Sequence, residues 1–284
     1  MAAQARSVDH EISLVLLHNS PQYGAELELV AKGCGVKYVQ VAERGYSSVR
    51  NAALDLAVHH DVLVFIDDDE IPGADWLHTH LDALVRTGTD ITTGPVVAEI
   101  PPGAPRWLDE GRLLRPRADR PSGPCHEFIA TNNTAIRMNF VRAHDLRFDP
   151  NYEAFGEDMD FFCRCLEAGA SIFWLDEARV VEYQDPERLT LRFLIRRRFA
   201  DARFYTNYSP RFPAHIRRSR LSGKIARMSW GLAQIAYGLV RTDSPRAARG
   251  LSDIAAGVGG FVGLTEVKFA RWQSGRYRPV EPPR

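Results

Sequence analysis

The chain has 284 residues, of which 45% are hydrophobic and 25% charged, a composition that excludes a disordered protein and allows a sizeable core. Its net charge of zero hides an uneven distribution: residues 1–190 carry 17 Lys and Arg against 31 Asp and Glu, whereas residues 191–284 carry 19 against 5. No apolar stretch at the N-terminus resembles a secretory signal, and no run of about 18 apolar residues predicts a membrane-spanning helix. We therefore expect a cytoplasmic protein with an acidic body and a basic C-terminal region.

Short apolar runs alternate with helical patterns along the first hundred residues. This rhythm predicts an α/β fold with a mostly parallel, Rossmann-like sheet flanked by helices. The change to basic, amphipathic patterns near Leu191 predicts two domains, 1–190 and 191–284. Strands are predicted at 12–17, 36–41, 62–66, 90–100, 127–137, 171–175 and 179–183, and helices at 25–32, 47–59 and 74–86 and from residue 157.

Four consecutive acidic residues, Asp67 to Glu70, follow the apolar run 62–66. In an open α/β sheet, ligands bind at the carboxyl ends of the strands. If the alternation of the strand continues, Asp67 and Asp69 point to the same side, and one divalent cation would relieve the repulsion between them. Oxygen ligands without His or Cys favour Mg²⁺ or Mn²⁺ over Zn²⁺. The alternative is an acidic loop that caps a helix beginning near Pro72.

A second acidic cluster opens the helix predicted from residue 157, with Glu157, Asp158 and Asp160 in its first turn. The positive end of the helix dipole favours ionised carboxylates, and a general base for a hydroxyl must be ionised near neutral pH. The alternative is helix capping without chemistry. Because two acidic clusters occur on one predicted scaffold, the pattern favours catalysis.

Several segments, taken in order, resemble the motifs of family 2 glycosyltransferases, a group of inverting enzymes with a GT-A fold. The resemblance covers roughly residues 10–200 and is strongest to bacterial exopolysaccharide enzymes of the succinoglycan type. The segments are RGYSSVRNAALDLA (44–57), FIDDDEIPGADWL (65–77), ITTGPVVAEIP (91–101), TNNTAIRM (131–138), FGEDMDFFCRCLEAGA (155–170) and VVEYQDPERLT (180–190).

This resemblance implies a role for each matching residue. Asp158 would be the catalytic base, with Glu157 beside it shaping the acceptor site. Asp67 would lie near the nucleotide ribose, and Asp69 would bind Mn²⁺ or Mg²⁺ together with Asp67. Glu182 stands where many relatives place a metal-binding His. The other residues expected to contact the nucleotide sugar or its acceptor are Arg50, Asn51, Asp68, Asn132 and Asn133.

The implied activity is that of a metal-dependent hexosyltransferase in cell-surface polysaccharide synthesis. The sugar would pass from a nucleotide-sugar donor to a saccharide or lipid-linked acceptor. Asp158 would deprotonate the acceptor hydroxyl, which attacks the anomeric carbon from the face opposite the leaving nucleotide. The cation would stabilise the charge that develops on the diphosphate.

Two departures from the family pattern keep a second interpretation open. The chain resembles family members from their second strand onward, so the first βα unit is expected to be absent. In the turn after that second strand, family members usually have an Asp, and this chain has His18. Either the start was trimmed, or the protein is a reduced paralogue that acts as a non-catalytic partner subunit in polysaccharide assembly. Because all the acidic motifs are intact, a working enzyme is favoured.

A metal-dependent nucleotidyltransferase is disfavoured, since no Gly-rich loop with a Lys is present.

The C-terminal region combines clustered cations with an apolar helical pattern, notably at 193–199 and 215–241. This pattern predicts helices that lie on an anionic membrane surface, so the protein is expected to be peripheral at the inner face of the membrane. The alternative is a helical appendage that packs on the catalytic domain or on a second copy. Nucleic-acid binding is disfavoured because no recognition module is visible. The predicted apolar face comprises Ile225, Met228, Leu232, Ile235 and Leu239, with Trp230 and Tyr237 as interfacial anchors.

Overall fold

The structure, a computed structural model, describes residues 2–5, 9–111, 113–114, 120–126, 129–152, 156–208 and 221–264. The chain forms two compact units: Met1–Glu99 with Arg115–Tyr183, and Ile100–Leu114 with Gln184–Arg284. The boundary predicted at residue 190 is thus replaced by one at residue 183. Segment 100–114, which the sequence analysis assigned to the first domain, clusters with the C-terminal region. Residues 127–128 of one predicted strand and 215–220 of one predicted helical segment lie outside the described residues.

The elements follow the predicted order, with several short additions. The strands are β1 (Val15–His18), β2 (Lys37–Gln40), β3 (Val62–Ile66), β4 (Glu70–Pro72), β5 (Ile91–Thr93), β6 (Val96–Ala98), β7 (Gly123–Pro124), β8 (Asn133–Arg137), β9 (Ile172–Trp174) and β10 (Val180–Glu182). The helices are α1 (Ala2–Ala5), α2 (Gly24–Cys34), α3 (Tyr46–Leu56), α4 (Trp76–Thr87), α5 (Arg106–Asp109), α6 (Met138–Ala143), α7 (Glu157–Glu167), α8 (Leu191–Tyr208), α9 (Leu221–Arg241) and α10 (Ser244–Leu264), with a 3₁₀ turn at Pro186–Leu189.

The largest sheet has five strands in the order β3-β8-β5-β9-β7. The β5–β9 pair is parallel, but β8 runs antiparallel to both β3 and β5, and β7 is antiparallel to β9. The α/β class is confirmed, whereas the prediction of a mostly parallel sheet is corrected to a mixed one. A parallel return usually runs through a crossover helix, whereas the helix that the described residues form between β5 and β8 is the four-residue α5.

Two smaller sheets complete the first unit. β1 pairs in parallel with β2, so two βα units, β1–α2 and β2–α3, precede β3; the absence of a family βα unit stays a prediction. β10 lies between β4 and β6, antiparallel to the first and parallel to the second. The single strand predicted at 90–100 is therefore two strands, β5 and β6, which belong to different sheets.

Alternation along β3 explains how the core of the first unit is built. Leu63 and Phe65 pack against one cluster of buried residues, and Val64 and Ile66 against another. The first cluster includes residues of α6, of α7 and of the segment between them, and the ring of Phe148 in that segment stacks on Phe161 of α7 with centroids 4.0 Å apart. The second cluster includes residues of α4. Because both faces of β3 are covered, its carboxyl end is held rigidly where the acidic residues begin.

The second unit is built around α10, which packs against α8, α9 and α5. Glycines line the contact between α9 and α10. A Cβ at Gly231 would lie 2.7 Å from the carbonyl oxygen of Gly250, so only glycine allows the backbones to approach this closely. None of the helices in the described residues is both long and apolar enough to span a membrane.

Candidate active site

The first acidic cluster forms a turn instead of extending β3. The backbone N–H of Glu70 donates to the carbonyl of Asp67 over 3.3 Å, and Glu70 then begins β4. Strand alternation therefore stops at Ile66, and the argument that it aligns Asp67 with Asp69 is wrong. The helix-capping alternative is also excluded, because α4 begins only at Trp76.

Glu70 organises this turn from inside it. Its buried carboxylate accepts the backbone N–H of Asp67 at 3.0 Å and the side-chain amide of Asn132 at 2.8 Å. Asn132, predicted to contact the ligand, thus joins the start of β8 to the acidic turn. Burial is the main cause that raises the pKa of Glu70 to about 8, and the two hydrogen bonds oppose it.

Asp67 is the acid that links the turn to the second cluster. Solvent reaches its carboxylate, yet protein surrounds it on most sides, and this loss of hydration raises its pKa to about 7. The charge of Asp158 raises the pKa further, while Arg50 opposes the shift. The exposed Asp68 and the half-buried Asp69 complete the turn. Crowded carboxylates with raised pKa values favour the binding of a cation.

The second cluster centres on Asp158 at the start of α7. Its Oδ1 accepts the Thr131 hydroxyl at 3.1 Å and lies 2.9 Å from Nη1 of Arg50. The Thr131 backbone N–H points at Oδ2 over 3.4 Å. Arg50 also forms an ion pair with the buried Glu157. Arg50, predicted to contact the nucleotide, is instead placed against the two predicted catalytic acids.

Burial decides the ionisation of these acids. It raises the pKa of Asp158 above its ordinary value, although Arg50 and Thr131 act in the opposite direction. The pKa of Glu157 is also raised, first by burial and then by the charge of Asp158. We expected the helix N-terminus to dominate and favour ionisation, so this expectation is corrected. A carboxylate with a raised pKa is a better proton acceptor near neutral pH.

Asn51 has a structural role that differs from its predicted one. Its side-chain amide donates to the carbonyl of Phe148 at 2.8 Å and its side-chain oxygen accepts the Phe148 N–H at 2.9 Å. This two-point contact fixes α3, and with it Arg50, whose guanidinium lies 5.5 Å from the ring centre of Tyr46. The structure thus gives Asn51 a positioning role for α3, and its contact with the nucleotide sugar stays a prediction.

Asn133 is also corrected from a ligand contact to a core residue. It is 1% exposed, and all of its hydrogen-bonding capacity is used inside the protein. Its oxygen accepts from Trp76 Nε1 at 2.8 Å and from His80 Nε2 at 2.9 Å. Its amide donates to two backbone carbonyls, those of Pro95 and Ala178.

His80 belongs to the same network, and its burial favours the neutral form. With Nε2 donating to Asn133, Nδ1 accepts the hydroxyl of Thr92 at 2.8 Å. Burial lowers its pKa to about 4. The network joins α4, β5 and β8 at the point where β8 begins, one residue after Asn132.

The residues predicted to hold a metal lie along two neighbouring strands and the turn. Glu182 pairs in register with Glu70, which places the two side chains on the same face of the small sheet. The carbonyl of Asp69 accepts the backbone N–H of Tyr183 at 2.8 Å. Among the residues described, no three His, Cys, Asp or Glu side chains converge on one point. Mg²⁺ in nucleotide sites is commonly held by one or two carboxylates together with substrate phosphates, so this donor set fits such an ion.

Sequence reasoning missed Thr131 and the organising roles of Glu70 and His80. A signal for Thr131 was present in the segment TNNTAIRM, where three polar residues precede an apolar strand. Contact between Thr131 and Asp158, 27 residues further along the chain, is a product of the tertiary structure.

The mixed sheet, the acidic turn after β3 and the facing acids of α7 define an α/β protein of the GT-A type. The structure of S. aureus TarS 1-349 in complex with UDP matches it with a TM-score of 0.50 and 13% identity, covering 97% of this chain and 87% of that one. The same protein in complex with UDP-GlcNAc matches with a TM-score of 0.50 and 12% identity, covering 97% and 88%.

Residues 19–144 match the sequence model of glycosyl transferase family 2, which confirms the resemblance drawn from the motifs. A curated relative, the succinoglycan biosynthesis protein ExoM of Rhizobium meliloti (strain 1021), is 33% identical over 165 residues. That alignment covers 58% of this chain and 53% of the relative, so the chain spans about half the length of the curated protein it matches.

Proposed function

We propose that this chain is an inverting glycosyltransferase that transfers a sugar from a nucleotide-sugar donor to a saccharide or lipid-linked acceptor in cell-surface polysaccharide synthesis. The observation that carries the proposal is the placement of Asp158, which is held by Thr131 and Arg50 near the acidic turn at the end of β3. The name of the relative, a succinoglycan biosynthesis protein, supports the polysaccharide assignment.

In the proposed reaction, Asp158 accepts the proton of the acceptor hydroxyl. Thr131 contacts both oxygens of Asp158, Oδ1 through its hydroxyl and Oδ2 through its backbone N–H, and so fixes the orientation of the base. Arg50 partly compensates the charge of Asp158 and Glu157. This compensation keeps the base ionised enough to act while burial raises its basicity.

The acidic turn would receive the diphosphate of the donor through a divalent cation. Asp69 is proposed to hold Mn²⁺ or Mg²⁺ together with the donor phosphates, with Asp67 or Glu182 of the adjacent strand as the second carboxylate. Asp68 lies beside them at the exposed edge of the turn. When bound, such an ion neutralises the charge on a departing diphosphate. The fit rests on the crowding of these carboxylates, in which lost hydration and the charges of neighbouring acids raise the pKa values of Asp67 and Glu70.

Titration calorimetry of the full chain with UDP-, GDP- and dTDP-sugars tests the donor site. Solved structures similar to this chain include TarS with UDP and with UDP-GlcNAc, so UDP-sugars are tested first. With Mn²⁺ we expect one nucleotide class to bind, and we expect binding to be lost with EDTA and in Asp69→Ala. Asp82→Ala, an exposed acid on α4, is the charge-matched control and should bind normally.

A second experiment separates donor binding from the transfer reaction. Asp158→Asn should bind the donor but lose roughly 10²–10⁴-fold in transfer rate, as expected for removal of a general base. If the folded protein binds no nucleotide with metal present, the enzyme assignment fails and the alternative of a non-catalytic partner subunit takes its place.

A further inference from the structure

The outward surface of α9 is apolar although solvent reaches it. Leu239 is 72% exposed, Val240 82%, Trp230 65% and Leu232 61%. Leu221, Ile225 and Tyr237 are also exposed on this helix. With 3.6 residues per turn, these residues span about half of the helix circumference, with the leucines near one margin and Trp230 and Tyr237 near the other. We call these seven residues the outer face of α9.

The outer face is uncovered because α9 uses its small residues for packing. The buried positions of α9 are Gly231, Gln234 and Gly238, which face α10. The amide of Gln234 donates to Asp253 of α10 at 2.9 Å. An ordinary helix of a soluble protein buries its large apolar residues and exposes its polar ones. Here Met228 and Ile235 still contact glycines of α10, but the other large apolar residues of α9 are exposed, as in helices whose small residues pack together while large residues face lipid.

Charge identifies the partner that suits this face. Residues 221–241 contain no Asp or Glu, and their cations are Lys224, Arg227 and Arg241. Lys224 donates to Thr206 of α8 and Arg227 lies 3.5 Å from Asp253, so both lie toward the helix bundle and away from the outer face. The whole region 191–284 carries 19 basic against 5 acidic residues. The outer face itself is therefore uncharged, and the net positive charge of the region that carries it favours anionic lipid headgroups as neighbours.

The aromatic residues add a second argument. Trp230 and Tyr237 are seven residues apart, about two helical turns, and therefore lie on one side of α9. Arg246 lies 4.4 Å from the ring centre of Tyr237. Amphipathic aromatic rings next to cations are typical of the boundary between headgroups and acyl chains.

We propose that the outer face of α9 inserts into the interfacial region of an anionic membrane, with the helix parallel to the surface. This contact brings the second unit to the lipid and does not depend on the proposed transferase activity. Insertion of the apolar side chains and attraction of the cations both contribute to the affinity.

Co-sedimentation of the full chain with vesicles tests this proposal. We expect strong binding to phosphatidylcholine vesicles that contain phosphatidylglycerol, weaker binding to pure phosphatidylcholine, and weakening by salt. Leu232→Glu and Leu239→Glu should each lower the partition coefficient roughly tenfold or more, because they remove an inserting side chain and add a repelled charge. Leu29→Glu is the matched control: Leu29 on α2 is 70% exposed, so the change is the same, but binding should persist.

Two results would overturn the proposal. One is equal vesicle binding by the wild type, Leu239→Glu and Leu29→Glu. The other is a wild-type dimer that Leu239→Glu converts to a monomer without any vesicle binding, which would assign the face to a second copy. Circular dichroism verifies folding, and Leu239→Gln repeats the test without the added charge. Nucleotide binding by calorimetry is measured separately, so failure here and failure of the proposed transferase function remain distinct.

Discussion

At the scale of single residues, the ionisation of Asp158 depends on partners that lie far apart in the sequence. Burial raises its pKa, and Thr131 and Arg50 limit the rise. The motifs identified Asp158, Glu157 and Arg50, but the ion pairs that join α3 to the first turn of α7 are a product of the tertiary structure. The polar network of Asn133 could not be predicted, because an Asn gives the same sequence signal in a core as in a binding site.

Thr131→Val should move the acid limb of the pH–rate profile to higher pH. The hydroxyl of Thr131 stabilises the ionised form of Asp158, so its loss raises the pKa of the base and reduces the ionised fraction at a given pH. Thr131→Ser keeps the hydroxyl and should restore the original profile. Identical profiles for Thr131→Val and the wild type would mean that Thr131 does not position the base.

Arg50→Met should destabilise the first unit by about 3–5 kcal/mol, because it leaves two buried carboxylates without their cation. Since both acids then have pKa values raised further, the loss should shrink as the pH falls and they take up protons. Arg86→Met is the control: Arg86 is exposed and pairs with Asp82, so the effect should be about 0–1 kcal/mol. Urea unfolding of both variants and the wild type at two pH values measures these changes in stability.

His80 should make the protein lose stability on acidification. Its pKa is about 4 in the folded protein against an ordinary value of 6.5, so the unfolded chain takes up the proton first as the pH falls. The contribution of His80 to the free energy of unfolding is fully present above pH 6.5 and is lost as the pH falls toward 4. At pH 5 the loss is about 2 kcal/mol. His80→Gln should flatten this slope, whereas His78→Gln, at an exposed position of the same helix, should keep it. An unchanged slope in His80→Gln would contradict this assignment.

At the scale of elements, apolar periodicity predicted β3 to the residue and most helices to within a few residues. The errors occurred where the chain turns. Asp67 to Glu70 form a turn, and the strand predicted at 90–100 divides into β5 and β6. In α9 the periodicity was read correctly as helical, yet the face toward α10 is the glycine face, because backbone proximity outweighs side-chain size there.

Glycine-to-alanine changes in α9 should have opposite signs at two positions. At Gly231 a Cβ would lie 2.7 Å from the Gly250 carbonyl, so Gly231→Ala should force α9 from α10 and cost about 1–3 kcal/mol. At Gly223 nothing lies within 4 Å, so Gly223→Ala should stabilise the helix by roughly 0.5–1 kcal/mol. Denaturation followed by the helical circular dichroism signal compares them. Equal effects at both positions would argue against the close α9–α10 contact.

At the scale of the whole molecule, the charge asymmetry corresponds closely to the division into two units. The acidic unit carries the candidate site, and the basic unit carries the outer face of α9. The sequence placed the boundary within a few residues of the observed one at 183. It could not assign segment 100–114, because α5 packs against α10, far along the chain.

Donor and metal should stabilise the protein together. With UDP at 100 times its dissociation constant and Mn²⁺ present, we expect roughly 2.7 kcal/mol of added stability, from preferential binding to the folded state. EDTA should remove this gain, and so should Asp69→Ala. Thermal denaturation with and without each ligand checks it, and a gain from UDP that persists in EDTA would exclude a metal-bridged diphosphate.

The sequence by itself determined the elements, the fold class, the family resemblance and the two acidic motifs, because these depend on local periodicity and on spacing along the chain. The tertiary structure alone decided which polar residues are available to a ligand. Asn132 contacts Glu70 at the candidate site, whereas its neighbour Asn133 is fully bonded in the core. It also decided that Arg50 pairs with the acids and that α9 turns its large apolar residues outward. These outcomes depend on burial and on contacts between distant segments, which a linear pattern does not contain.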